Sequence, residues 1–202
     1  MRAMWERLAQ RLEGRIVALE PLEERHVEGL RRAAAFPELW SWAPIDASAS
    51  FDEWVAYAVE QQTMREEVAL VTVRAGAGEV IGSTRFLAIR PEHRSLEIGA
   101  TWLTPTAWRT GANVEAKLLQ LAHAFEVLRC VRVELKTDAR NDRSRRAMEA
   151  IPAQFEGIHR RHRIERYGPR DTAWYSVIED DWPEVKVNLE TRLARHLGSL
   201  SS

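Results

Sequence analysis

Apolar and polar residues alternate along several segments of this chain and recur at helical spacing along others. In LEIGATWL, Leu96, Ile98, Ala100 and Trp102 fall on one side and Glu97, Gly99 and Thr101 on the other, the period of a half-buried strand. Residues 15–22, 68–74, 80–89 and 131–137 also read as strands, and two more are expected near 155–164 and 172–178. A glycine-bearing turn at Gly76 and Gly78 joins the second and third of these. Helices are predicted over 23–35, 51–64, 114–128 and 141–151. A last, amphipathic helix follows Pro183, with Val185, Leu189, Leu193 and Leu197 as its apolar stripe. Residues 36–50 form a loop rich in Pro, Ser and Trp. Helices set between strands imply crossovers over a mixed sheet in an α/β (α+β) domain. One domain over 1–202 is expected, its core at about 15–182 and its C-terminal helix at about 183–197.

Composition narrows the picture. With 45% hydrophobic and 29% charged residues, the chain resembles an ordinary globular protein, and 202 residues bury a core without staples. The single cysteine, Cys130, sits in an apolar run and excludes an intrachain disulfide. A net charge of −1 gives no global attraction to nucleic acid or anionic membrane. No apolar run approaches a membrane span, and the N-terminus lacks a signal-peptide core, so a cytoplasmic protein is expected. The six histidines show no metal spacing, and no metal site is expected.

Two segments carry chemistry. In residues 96–117 a strand ends, a short loop containing Gly111 follows, and a helix begins. The first turn of a helix offers unpaired N–H groups and the positive end of its dipole, which suits a phosphate. Trp108, Arg109, Thr110, Gly111, Ala112, Asn113 and Val114 would form that cradle; an ordinary strand-to-helix turn with Asn113 as N-cap fits the same residues. In residues 136–157, Asn141 can cap a helix whose first turns hold Ser144 and the arginines Arg143, Arg145 and Arg146. Trp40 and Trp42 lie in the early loop, where they would either wall a pocket or anchor the loop in the core.

The order of elements and these segments resemble the GNAT acetyltransferases, and in particular the branch of the ribosomal-protein N-terminal acetyltransferases. The resemblance rests on Glu97-Ile98-Gly99, the loop 108–113, Glu115-Ala116, Asn141 with Ser144 and Ala147, Glu156-Gly157, and the ending DTAWYSVIEDDWPEVK. It implies acetyl-CoA as cosubstrate, an amine as acceptor, and direct attack in a ternary complex. It implies Asn141 at the pantetheine arm and Ser144 near the thiol; Arg143 and Arg146 suit the adenosine 3′-phosphate. Glu97 is the candidate base, and Tyr167 and Tyr175 are rivals to Ser144 as acid. A homodimer also follows from the likeness. Trp108 and Asn113 depart from the family's loop pattern, and Ile151-Pro152 stands where Leu-Gly is usual; proline cannot take a positive φ, so that helix must end differently. The alternative function is a non-catalytic acyl-CoA-binding or sensing module. Nucleic-acid binding by the arginines of 140–170 is disfavoured by interrupting acids.

Overall fold

The computed structural model describes residues 5–200. Eight strands form one sheet: β1 (Leu12–Glu13), β2 (Val17–Pro21), β3 (Val68–Arg74), β4 (Val80–Arg90), β5 (Ser95–Leu103), β6 (Arg132–Asp138), β7 (Gln154–Glu165) and β8 (Gly168–Ile178). Their order is β1-β2-β3-β4-β5-β6-β8-β7, and every neighbouring pair is antiparallel except β5 and β6. Among the described residues five α-helices accompany them: α1 (Val27–Ala33), α2 (Phe51–Met64), α3 (Ala112–Ala122), α4 (Asp142–Glu149) and α5 (Trp182–Leu200). The mixed α/β sheet expected from the pattern is therefore present.

Strand alternation divides the interior into two cores. Val68 and Leu70 of β3 enter one with α3 and α5, whereas Ala69, Val71 and Val73 enter the other with α1, α2 and the loop between them. The stripe of α5 is used inside the chain: Val185, Leu189 and Leu193 are buried in the first core.

Several boundaries differ from the sequence reading. The helix expected over 23–35 begins as a 3-10 turn, Glu24–His26, before α1. The one expected over 114–128 starts two residues earlier and ends in a π turn, His123–Val127. Strand β8 starts at Gly168 because the hairpin pairs up to Glu165 and Gly168. Helix α4 ends on a shared acceptor: the N–H groups of Ile151 and Ala153 both donate to the Met148 carbonyl, so the chain turns here without a glycine.

Candidate active site

A cleft opens where the two parallel strands part. Residues Ser95–Glu97 pair with Arg132–Glu134, and no pairing follows, although β5 runs on to Leu103 and β6 to Asp138. On the other flank of β5, Ala100 and Thr101 face the single residue Thr84 of β4. This bulge puts Ala100 at φ +48° and bends β5 away from β6.

The loop after β5 is turned by two left-handed residues, Arg109 (φ +62°) and Gly111 (φ +89°). Trp108 anchors it by donating Nε1–H to the Leu103 carbonyl at 2.8 Å. Thr110 Oγ1 donates to the Ala107 carbonyl at 2.8 Å and meets the Ala112 N–H at 3.4 Å. Among the described residues, no protein acceptor meets the N–H groups of Thr110, Gly111, Asn113 or Val114. They form the positive end of α3 at the open end of the cleft. Gly111, not Asn113, is the N-cap. The bare side of Gly111 faces inward, where an added Cβ would meet Ile16 Cδ1 at 2.8 Å and His196 Cβ at 2.9 Å. It seats the helix against the N-terminal strand and α5.

Glu115 has a structural reason. Its buried carboxylate accepts the N–H groups of Arg15, Ile16 and Val17 at 2.7, 2.6 and 2.7 Å. A Cβ at Gly14 would collide with it at 2.4 Å. This pair ties the mouth of β2 to the first turns of α3, one helical turn beyond the N–H groups of the cradle.

Opposite the loop, Asn141 caps α4 by accepting the Ser144 N–H at 3.1 Å. Among the described residues the Ser144 hydroxyl has no protein partner. Arg143 lies over the Trp108 ring at 4.6 Å, so the two walls of the cleft meet. Arg143 and Arg146 are exposed and form no ion pair among the described residues, whereas Arg145 donates to the Tyr175 hydroxyl at 3.0 Å. Tyr175 is fully buried and donates in turn to Glu149 at 3.0 Å; Tyr167 donates to the Trp42 carbonyl at 3.4 Å. Both tyrosines are thus engaged, and burial raises the pKa of each phenol. Burial likewise pushes the Cys130 thiol up to about 12, which leaves it inert.

Glu97 stands at the apex, in the last β5–β6 pair. It forms an ion pair with Lys136 at 2.8 Å, and Lys136 Nζ lies 3.8 Å from the centroid of the Trp174 ring. The other side of the sheet is closed by the early loop and the β7–β8 hairpin. Arg166 donates to the Trp40 and Ala43 carbonyls, and Trp42 meets the Tyr167 ring at 5.6 Å. Trp40 does not wall a pocket: it is 2% exposed and packs against Trp54 and Trp102. A cavity of about 550 Å³ lies beside this loop, lined by Ile45, Glu53, Ala56, Tyr57 and Glu60.

Sequence reasoning missed Lys136, Trp174, Thr101 and Lys117. The signal for Lys117 was legible. Lys117 and Gln120 interrupt the apolar helix at i and i+3, on one face. Only three lysines, Lys117, Lys136 and Lys186, stand against 26 arginines, and two of the three lie at this cleft.

Comparison with known proteins agrees with this geometry. The acetyltransferase (GNAT) domain family matches residues 17–154. A GCN5-related N-acetyltransferase from Brucella melitensis superposes with a TM-score of 0.85 at 30% identity, over 92% of this chain and 86% of that one. RimJ of Mycobacterium smegmatis, solved in complex with CoA-disulfide, shares the fold at a TM-score of 0.74 and 19% identity, over 90% of this chain and 92% of its own. The uncharacterized N-acetyltransferase YoaA of Bacillus subtilis is 29% identical over 106 residues, which span 52% of this chain and 59% of that protein. With the domain match running through most of the sheet and through the cleft, the chain belongs to the GNAT acetyltransferase family.

Proposed function

We propose that the protein transfers an acetyl group from acetyl-CoA to a primary amine, a protein N-terminus or a small-molecule amine, by direct attack in a ternary complex. The observation that carries this is the set of unpartnered N–H groups at the start of α3, at the mouth of a cleft made by diverging parallel strands. The CoA-disulfide complex of RimJ supports CoA as the ligand of such a cleft. The pyrophosphate meets the loop 108–114, and the exposed Arg143 and Arg146 meet the 3′-phosphate. Asn141 lies along the pantetheine arm, and Ser144 hydrogen-bonds near the thiol. Glu97 takes the amine's proton, directly or through water, and Lys136 holds its carboxylate at the apex. The acceptor enters on the side of Trp42, where Glu53 and Glu60 give the neighbouring cavity an acidic rim suited to an ammonium. A cytoplasmic location and a homodimer belong to the same reading. The dimer is supported by family likeness and by edge strand β7, which exposes Phe155, Ile158 and Ile164.

Turnover of acetyl-CoA against a panel of peptides, polyamines and amino acids tests the assignment. Glu97→Gln is expected to slow turnover about tenfold or more while leaving acetyl-CoA binding by calorimetry nearly unchanged. Tight CoA binding with no turnover on any amine would favour the sensing module instead.

A further inference from the structure

Breaking the thioester leaves a thiolate, and the groups so far named for protonating it are weak. A serine hydroxyl is a poor acid, and Tyr175 and Tyr167 are engaged elsewhere. The buried polar cluster beneath the bulge offers another route. Lys117 of α3 is 5% exposed, and its Nζ donates to Thr101 Oγ1 at 2.7 Å, to Gln120 Oε1 at 3.3 Å and to Thr84 Oγ1 at 3.5 Å. Thr84 and Thr101 hydroxyls lie 2.7 Å apart, and the buried Gln120 Nε2 has no partner among the described residues. Thr101 itself is exposed, on the part of β5 that has left β6.

Among the described residues no carboxylate reaches Lys117, which makes it costly as a mere structural residue. Charged and titratable groups on the surrounding elements are committed elsewhere. On α3, Glu115 holds three backbone N–H groups, and beyond it His123 is held by Gln10 and the Arg7 carbonyl. Glu13 near the N-terminus pairs with Arg11, and Glu20 of β2 pairs with His26 and Arg25. Arg85 of β4 pairs with Glu67 and Glu97 of β5 with Lys136, while His196 of α5 lies beside Gly111. Burial alone therefore acts on the ammonium, and it lowers the pKa to about 7, the range of an effective acid at neutral pH.

We propose that Thr101 hands the proton to the departing CoA sulfur and that Lys117, acting through it, supplies that proton along their hydrogen bond. The amine nitrogen bonds to the thioester carbonyl carbon, and as the C–S bond breaks its electron pair stays on sulfur. The Thr101 hydroxyl proton moves to sulfur while a Lys117 proton moves to the Thr101 oxygen. Lys117 is left neutral, the form its burial favours. The proton lost by the attacking nitrogen goes to Glu97, and exchange with solvent returns one to Lys117. The relay deepens the acetyl-transfer reading and rests on it.

The test uses the full chain with CoA alone and then with acetyl-CoA. In the CoA complex, thiolate absorbance is followed against pH. Lys117→Met and Thr101→Val are expected to leave about tenfold less bound thiolate at a given pH than the wild type, whereas Thr101→Ser, which keeps the hydroxyl, is expected to match it. Turnover of both disabled variants should fall about tenfold or more with little change in the KM for acetyl-CoA. The wild-type fall in kcat with rising pH should vanish in Lys117→Met. Methionine removes a buried charge, so thermal melts should show this variant folded. CoA binding with thiol titration unaltered in Lys117→Met, or Thr101→Val as active as Thr101→Ser, would overturn the relay and leave acetyl transfer standing. A wild type that does not bind CoA would overturn both.

Discussion

A lysine without a carboxylate is the most consequential single residue of this chain, because its burial is a statement about stability as well as chemistry. The pKa of Lys117 is lowered by desolvation to about 7 from an ordinary value of 10.5. Below pH 7 it is charged in both the folded and the unfolded chain, and folding bears the full cost of burying the charge. Between 7 and 10.5 the unfolded chain holds a proton that the folded one does not, so stability rises with pH across that window. The slope is at most about 1.4 kcal/mol per pH unit. Denaturant melts of the wild type from pH 6 to 10 should therefore show a rise that Lys117→Met lacks, with the variant more stable at the acid end. A parallel pair of curves would mean that the amine keeps its ordinary pKa. Glu115 makes the contrasting case. The sequence marked it only as part of a family pattern, because three backbone N–H groups a hundred residues away cannot be read from spacing.

At the scale of elements, what could be read followed from periodicity, and what could not came from contacts distant in sequence. Alternation located β5 and β6, and a glycine followed by a helix located the turn from β5 into α3. The parting of β5 from β6 was invisible, since it depends on the Ala100–Thr101 bulge and on which strands become neighbours. Trp40 and Trp42 were indistinguishable as loop tryptophans, yet one fills the core and the other meets the hairpin. Gly111 was correctly placed in the loop, but its bare side faces Ile16 and His196. Gly111→Ala combines a φ of +89° with two Cβ approaches under 3 Å, so it should cost about 2–4 kcal/mol of stability. Weaker CoA binding should accompany that loss as α3 shifts. Urea melts and calorimetry on the same variant check this: lost affinity at unchanged stability would put the obstruction on the ligand side.

For the whole molecule, the question is whether α5 serves one chain or two. Its period-four stripe was legible in the sequence, but a stripe does not say what covers it. Here Val185, Leu189 and Leu193 enter the core shared with α3 and the sheet, and Trp182 stacks on Phe125 at 5.4 Å. Little of that stripe is left for a partner, while Phe155, Ile158 and Ile164 remain exposed along β7 and Val187 on α5 itself. A homodimer, if formed, is therefore expected to use the β7 edge and not the buried face of α5. Leu193→Asp separates the two. Leu193 is 9% exposed and faces apolar neighbours, so a carboxylate there has no partner and should cost about 3–5 kcal/mol. The expected result is a destabilised or aggregated chain, seen as a lowered melting temperature together with heterogeneous light scattering. A well-folded monomer from Leu193→Asp, beside a wild type that scatters as a dimer, would instead place α5 at the seam.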